Sequence, residues 1–232
     1  MRALRVSAVL LLAALLMPIC GAYAQDDATE QRAIDACPGF ARWVEAHKAG
    51  ARRSQGTAEV AAPSLPALRA ELLAMQADDQ RVRQAPEGGP PPMQPLLDVD
   101  AKHLPRIEAI VAQRGFPTRA QVGGDGVTAA WLLVQHATRD PAFQARVLKQ
   151  LEPRVQTGEF GGEQFAMLID RVLRLKAHEP QRYGSQLDYI DGKYVVGPLE
   201  DPAHVDVRRA QLRMAPLRDY VCFVNALYAP RH

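Results

Sequence analysis

Apolar residues recur every three to four positions through most of the chain, which is the spacing of one face of an α-helix. In one such stripe Leu104, Ile107 and Val111 share a face. Asp140 followed by Pro141 is typical of a helix start, because aspartate caps free amides and proline suits the first turn. The predicted helices span residues 26–36, 64–82, 96–113, 127–137, 162–176, 205–214 and 216–227, with two more beginning at Pro38 and Pro141.

One stretch departs from helical spacing. Leu187, Tyr189, Tyr194 and Val196 flank the pair Asp191-Gly192, which supplies the positive φ of a two-residue hairpin turn. The helices before it follow one another through short connections. The sequence therefore predicts a mainly α fold: a compact multi-helix domain with one small β-hairpin near the C-terminal third.

Two stretches lack any periodicity. Residues 49–62 are polar and irregular, which predicts a linker. Residues 85–92 read Ala-Pro-Glu-Gly-Gly-Pro-Pro-Pro, and this composition excludes helix and central strand. We expect residues 85–92 to form an exposed loop.

The first residues follow the plan of a secretory signal peptide. Arg2 and Arg5 precede an apolar run of about 14 residues that ends near Ala22-Tyr23-Ala24, so cleavage would leave Gln25 first. Lipidation at Cys20 is the alternative, but Ile19 is large for the position before a lipidated cysteine. The run is short of the roughly 20 residues that cross a bilayer. We expect a periplasmic or secreted protein without a transmembrane anchor after cleavage.

These boundaries divide the chain into a signal peptide at 1–24, an N-terminal helical segment and linker at 25–62, and a helical domain at 63–228. The net charge of the whole chain is +2, and Arg2 and Arg5 leave with the signal peptide. A nearly neutral mature chain has no electrostatic footprint for nucleic acid. Its partner is unknown, and a small molecule or a protein both fit.

Cysteine usage agrees with export. Of three cysteines, Cys20 lies in the signal peptide, which leaves Cys37 and Cys222. In an oxidising compartment a disulfide between them is favoured, with two buried free thiols as the alternative. Metal binding by these cysteines is disfavoured, because neither has a Cys or His at ligand spacing.

Polar residues inside apolar stripes are the first candidates for function, since an unpaired buried polar group costs about 1 to 3 kcal/mol. Gln144 lies on the core side of its helix, and His136 follows Leu132 by one turn. We expect Gln144 and His136 to meet across a tight turn. On the next predicted helix, Asp170 and Arg174 have the spacing of a surface ion pair.

Weaker patterns suggest other chemistry. His136 and Asp140 have the spacing of metal ligands, but Asp140 suits a helix cap and no third ligand is in register, so we expect no metal and no cofactor. Ser185, His136 and Asp170 could form a triad, although no nucleophile elbow accompanies them. The run 123–126, Gly-Gly-Asp-Gly, could cradle an anion, but capping by Asp125 is favoured.

A set of short motifs resembles the bacterial family called domain of unknown function 6624, over roughly Leu72 to Tyr220. The motifs are Asp79-Gln80-xx-Arg83, Gly115-Phe116-Pro117, Val122-Gly123, Trp131-Leu132-Leu133-Val134-Gln135-His136-Ala137, Asp140-Pro141-x-Phe143-Gln144, Asp170-Arg171-Val172, Tyr183-Gly184-Ser185-Gln186 and Arg208-Arg209. Ser185 stands where that family usually has threonine, and it keeps the hydroxyl.

The resemblance brings no activity, but it implies that the motif side chains form one recurring polar set. Its members are His136, Gln144, Asp170, Arg171, Tyr183, Gln186 and Arg208. The leading hypothesis is a periplasmic binding or structural module in which this set is a buried polar network.

Two other functions stay open. A hydrolase would use His136 as general base, Asp170 to orient it and Arg171 or Arg208 to bind an anionic group, with Tyr183 as a further candidate. An inhibitor or immunity-type partner of another exported protein would present Trp43 or the prolines at 90–92.

Overall fold

The computed structural model describes residues 27–54, 62–83 and 93–228. It is mainly helical with one two-stranded hairpin, which confirms the predicted fold class. The helices are α1 Asp27–Asp35, α2 Pro38–Ser54, α3 Pro66–Arg81, α4 Met93–Arg114, α5 Arg119–His136, α6 Pro141–Gln156, α7 Gly162–Val172, α8 Val205–Gln211 and α9 Leu217–Leu227; the strands are β1 Leu187–Ile190 and β2 Lys193–Val196.

The start of α6 follows from its sequence as predicted. The side chain of Asp140 accepts a hydrogen bond from the Phe143 amide at 2.8 Å, and Pro141 takes the first helical position. An N-cap of this kind satisfies an amide that the helix itself leaves free. The chain therefore turns sharply between α5 and α6, which brings the end of α5 against α6.

Helix α5 begins earlier than predicted. Thr118 and Gln121 form a reciprocal capping box, which starts the helix at Arg119 rather than near Val127. Gly123 then interrupts the helix with φ 74°, a conformation that glycine adopts without strain. Asp125 lies in the first turn after this interruption, and its carboxylate accepts a hydrogen bond from the Gly126 amide at 2.8 Å, as a cap does, while it also binds the guanidinium of Arg69 on α3.

The main core lies among α3, α4, α5, α6 and α7. Helix α5 is central, because Val127 to Ala137 is buried at almost every position and α3 packs along it. The side chains at the centre of this core are fully buried: Leu72, Ile107, Val134, Val147, Leu151 and Leu168.

A second apolar cluster joins α1 and α2 to α9 and the hairpin. Phe40 stacks on Phe223 with ring centroids 4.1 Å apart. The sulfur atoms of Cys37 and Cys222 lie 2.02 Å apart, the distance of a disulfide, across 185 residues of sequence. The predicted pairing of these cysteines is thus confirmed, and it links the two chain ends.

The hairpin also has the predicted turn. Asp191 and Gly192 have φ of 49° and 80°, and Tyr189 pairs with Tyr194 across the two strands. The side chain of Asn225 on α9 bonds both the amide and the carbonyl of Tyr194. Helix α9 thereby continues the hydrogen bonding of β2 and holds the hairpin against the second cluster.

Some boundaries differ from the predictions. Helix α2 continues through residues 49–54, where a linker was expected, and α7 gives way after Val172 to a wider π-helical turn at Leu173–Ala177. The predicted signal peptide, residues 55–61 of the predicted linker and the predicted loop at 85–92 lie outside the described residues. No helix in the described ranges is both long and apolar enough to cross a membrane.

Candidate functional site

The histidine singled out by the sequence is deeply buried beside a carboxylate. His136 ends α5 and is only 4 % exposed. Its Nδ1 atom lies 2.8 and 2.9 Å from the two carboxylate oxygens of Asp79, near the end of α3. A carboxylate that accepts a hydrogen bond from Nδ1–H fixes the ring and leaves Nε2 with the free lone pair.

Gln144 does not bond His136, so the expectation that these side chains meet is wrong. The amide nitrogen of Gln144 donates instead to the carbonyls of Val134 and Gln135, at 2.9 and 3.1 Å. These carbonyls belong to the last turn of α5, where the regular helical hydrogen bonds end; the Val134 carbonyl also accepts from the Ala137 amide. Gln144 thus caps α5 from α6, which explains why an amide stands in an apolar stripe.

Two further charged side chains complete the surroundings of His136. Arg83, just beyond α3, donates to the carboxylate of Asp79 at 3.0 to 3.2 Å and also to that of Asp100 on α4. Gln80 donates to Asp79 at 2.7 Å. We call Asp79, Arg83, Asp100 and His136 the Asp79 cluster. Its outer members, the side chains of Arg83 and Asp100, are 15 % and 10 % exposed.

Burial separates the pKa values in this cluster. Burial lowers the pKa of His136 to about 4, against the pull of Asp79, so the ring is neutral at pH 7. Burial alone would raise the pKa of Asp79, but His136 and Arg83 outweigh it and bring the pKa to about 2. At Asp100 burial prevails over Arg83, and the pKa rises to about 6.

Atoms that could ligate a metal ion converge in the same place. Asp79, Asp100 and His136 each offer one nitrogen or oxygen, and these atoms all lie within 4.8 Å of one another. Asp140 takes no part, because its side chain caps α6. The pair His136 and Asp140, which the sequence disfavours as metal ligands, is thus not brought together, whereas His136 lies beside Asp79 and Asp100.

Asp170 has a different environment from the one expected. Its carboxylate accepts from the amides of Arg182, Tyr183 and Ser185 and from the Ser185 hydroxyl, at 2.7 to 3.1 Å. Burial raises the pKa of Asp170 against these four bonds. Asp170 thus holds the turn at 181–186 against α7, and its predicted role in orienting His136 is wrong.

Two further predictions about Asp170, its ion pair with Arg174 and its place in a triad, are also wrong. Its predicted ion pair with Arg174 does not form, since Arg174 binds Asp188 on β1 at 2.7 Å. The hydroxyl of Ser185 donates to Asp170 and not to His136, so the triad of Ser185, His136 and Asp170 is not assembled.

Arg171 and Gln186 connect the hairpin to the end of α5. Arg171 donates through Nε and Nη2 to the Gln186 side-chain oxygen at 3.1 and 3.0 Å, and through Nη1 to the Gln135 carbonyl at 2.8 Å. Gln186 in turn donates to the Met167 carbonyl. Burial lowers the pKa of Arg171 to about 9. We call Asp170, Arg171, Ser185 and Gln186 the Asp170 network.

Arg208 and Tyr183 serve the fold near this network rather than His136. Arg208 donates to the carbonyls of Arg182 and Asp201, both at 2.8 Å. Arg209, next to it, is 1 % exposed, donates to the carbonyl of Tyr183 at 2.8 Å and lies 5.0 Å from the Tyr220 ring centroid. The ring of Tyr183 is half-buried, which raises its pKa.

Sequence reasoning missed three of the four members of the Asp79 cluster. Asp79 and Arg83 belong to a motif that was noted only for its resemblance, and they lie one turn apart near the end of α3. Nothing in the sequence around Asp100 indicates a functional site, since an aspartate on a long helix is typical of a solvated face. A search for the partner of a buried histidine among the other motif residues would have found Asp79.

Two candidates for contact with another protein remain, Trp43 and the prolines at 90–92. Trp43 packs on Phe40 and His47 in the second apolar cluster, and the prolines at 90–92 lie outside the described residues. Their role in contacting another protein stays a prediction.

Comparison with known proteins places most of the chain in one family. A family model described as a family of unknown function (DUF6624) matches residues 66–231. No curated protein and no solved structure gives a significant match.

Proposed function

The chain belongs to that family of unknown function, so membership supplies no activity, and we propose that it is an exported binding module whose ligand site is the Asp79 cluster. One observation carries the proposal. The buried polar side chains divide into a hydrogen-bonded scaffold, the Asp170 network, and a cluster in which two carboxylates share one guanidinium beside a neutral imidazole.

The side chains of the Asp170 network are explained by their hydrogen bonds within the fold. Its carboxylate accepts four hydrogen bonds, and its guanidinium donates to a backbone carbonyl and an amide oxygen. A buried polar network that is satisfied in this way holds its elements in a unique register. No ligand is needed to explain these side chains.

The arrangement of charges in the Asp79 cluster lowers the stability of the fold. Asp100 lies close enough to ionised Asp79 to be repelled by it, and burial adds to that cost. Proteins retain such arrangements at functional sites, where groups with displaced pKa values concentrate. The partial exposure of Arg83 and Asp100 gives a small ligand a point of entry.

Export rests on separate grounds. The chain begins with the pattern of a signal peptide, and the pairing of Cys37 with Cys222 suits the oxidising compartment to which that peptide would direct the protein.

A thermal-shift screen of divalent metal salts and small charged metabolites tests the ligand site. Asp100→Asn removes one charge of the cluster, and Asp78→Asn is the matched control, because Asp78 binds Lys102 and His103 on the outer side of the same helices. A ligand at one hundred times its Kd stabilises the folded state by about 2.7 kcal/mol. We expect a compound that shifts the parent and Asp78→Asn but not Asp100→Asn. Equal shifts in all three, or none, would refute the assignment.

The contact between Asp79 and His136 favours a second candidate, a hydrolase with His136 as general base. A neutral imidazole whose Nδ1–H donates to a carboxylate presents the free lone pair of Nε2, and here Asp79 takes the orienting role that was predicted for Asp170. In a screen of hydrolytic substrates, His136→Gln should then lower kcat about 10²- to 10⁴-fold. Activity that survives this substitution would eliminate the enzyme hypothesis.

A further inference from the structure

The Asp79 cluster already holds a cation. The guanidinium of Arg83 lies between the carboxylates of Asp79 and Asp100 and donates to both. One positive charge is thus in direct contact with two negative ones, and the guanidinium of Arg171 adds a further, more distant positive charge that acts on Asp100. The two carboxylates therefore form a site that favours a cation.

The imidazole of His136, the third side chain of the cluster, favours a metal ion over an ammonium group. An ammonium group gains little from a neutral imidazole, whereas a transition-metal ion binds it well. Imidazole nitrogen and carboxylate oxygen are both ligands that zinc and related divalent ions accept. The three residues come from α3, α4 and α5, so the site is fixed by the packing of separate helices.

The distances suit such an ion. Metal–ligand bonds of about 2.1 Å place neighbouring ligand atoms about 3 Å apart at right angles and about 3.4 Å apart at the tetrahedral angle that zinc favours. His136 Nδ1 lies 2.8 and 2.9 Å from the oxygens of Asp79, and an atom of Asp100 is within 4.8 Å of both side chains. The same contact can therefore hold either a proton or a metal ion.

We propose that Asp79, Asp100 and His136 bind a divalent transition-metal ion of the zinc class, which displaces the guanidinium of Arg83. This names the ligand of the site in the proposed function and rests on it. Water would fill the remaining coordination positions, as it does in zinc sites with three protein ligands. The three ligands lie on three different helices, so no local spacing of residues along the chain indicates the site.

Arg83 is expected to oppose metal binding. Arg83 neutralises the carboxylates when no metal is bound, so it competes with the ion for the same oxygens. Its replacement by a neutral side chain of similar size, Arg83→Gln, should strengthen metal binding. A merely structural ion pair would give no such gain.

Isothermal titration calorimetry with Zn²⁺ tests this on the whole chain after treatment with a chelator, and Co²⁺ absorption reports the ligand field. We expect one ion per chain, with affinity at least about tenfold lower in Asp100→Asn and His136→Gln and higher in Arg83→Gln. Asp78→Asn is the control, since the Asp78–His103 pair on the same helices lacks the second carboxylate. Circular dichroism verifies the fold of each variant, and Asp100→Asn carries the test if His136→Gln unfolds.

The proposal is overturned if neither the parent nor Arg83→Gln binds Zn²⁺ saturably, or if Asp100→Asn binds as tightly as the parent. A Zn²⁺ site lost equally in Asp78→Asn would also overturn it. If Zn²⁺ fails while the thermal-shift screen finds an organic ligand that depends on Asp100, the metal alone is rejected and the binding module stands. Failure of both experiments rejects both.

Discussion

Two aspartates illustrate how the same residue type serves opposite ends in this protein. Asp170 is surrounded by donors and stabilises the turn that it binds. Asp100 shares one guanidinium with Asp79 in a partly buried place, and its pKa is raised to about 6. Burial raises the pKa of both carboxyls, and the two differ in their partners: Asp170 accepts four hydrogen bonds of its own, whereas Asp100 shares the guanidinium of Arg83 with Asp79.

The raised pKa of Asp100 predicts a pH dependence in the metal-free protein. In the unfolded chain this carboxyl loses its proton near pH 4, whereas in the folded protein it does so near pH 6, so stability falls across that window and stays low above it. After discounting for partial exposure, the loss is about 1 to 2 kcal/mol. Asp100→Asn abolishes it, so its stability relative to the parent should rise from pH 4 to pH 7 in denaturant titrations. A constant difference across this range would contradict the assignment.

At the scale of the elements, local signals were enough to predict where structure begins. Asp140-Pro141 and Asp191-Gly192 each specify a start or a turn through their own backbone and side-chain chemistry, and both are observed. The start of α5 was missed because the glycines after Thr118 obscured a capping box.

The cap of α6 offers a test of that local account. Asp140→Ala removes the acceptor for the Phe143 amide and should lower the free energy of unfolding by about 1 kcal/mol. Asp140→Asn keeps an acceptor in the same place and is the control. Chemical denaturation measures both, and equal losses would mean that the charge of Asp140, not its cap, stabilises the helix.

Contacts distant in sequence were beyond local signals. His136 and Asp79 are 57 residues apart, and periodicity places both on helices without stating that those helices pack together. The sequence therefore predicted the buried histidine and the polar scaffold residues but assigned them the wrong partners. The Asp79 cluster depends on how α3, α4 and α5 assemble, which no single helix specifies.

For the whole molecule, the disulfide and the second apolar cluster fasten the N-terminal helices to α9. The Asp79 cluster lies among α3, α4 and α5, which belong to the main core. Anchoring of the chain ends and ligand binding thus involve different parts of the molecule.

Removal of the disulfide should cost stability and spare the ligand site. A bridge across 185 residues constrains the unfolded chain strongly, and loss of a native disulfide typically costs about 2 to 5 kcal/mol. The double variant Cys37→Ser, Cys222→Ser should unfold at a lower denaturant concentration and bind Zn²⁺ as the parent does at temperatures where it is folded. Reduced affinity in the folded double variant would show that the two regions are coupled.

The division of polar residues into a scaffold and a ligand site is the central claim. Its most direct test is the thermal unfolding of Asp170→Asn and Asp100→Asn, measured side by side at pH 8 in chelator. Asp170→Asn replaces an acceptor of four hydrogen bonds and should lower Tm clearly, whereas Asp100→Asn relieves a repelled charge and should leave Tm unchanged or raise it. A fall in Tm of similar size in both variants would contradict the division.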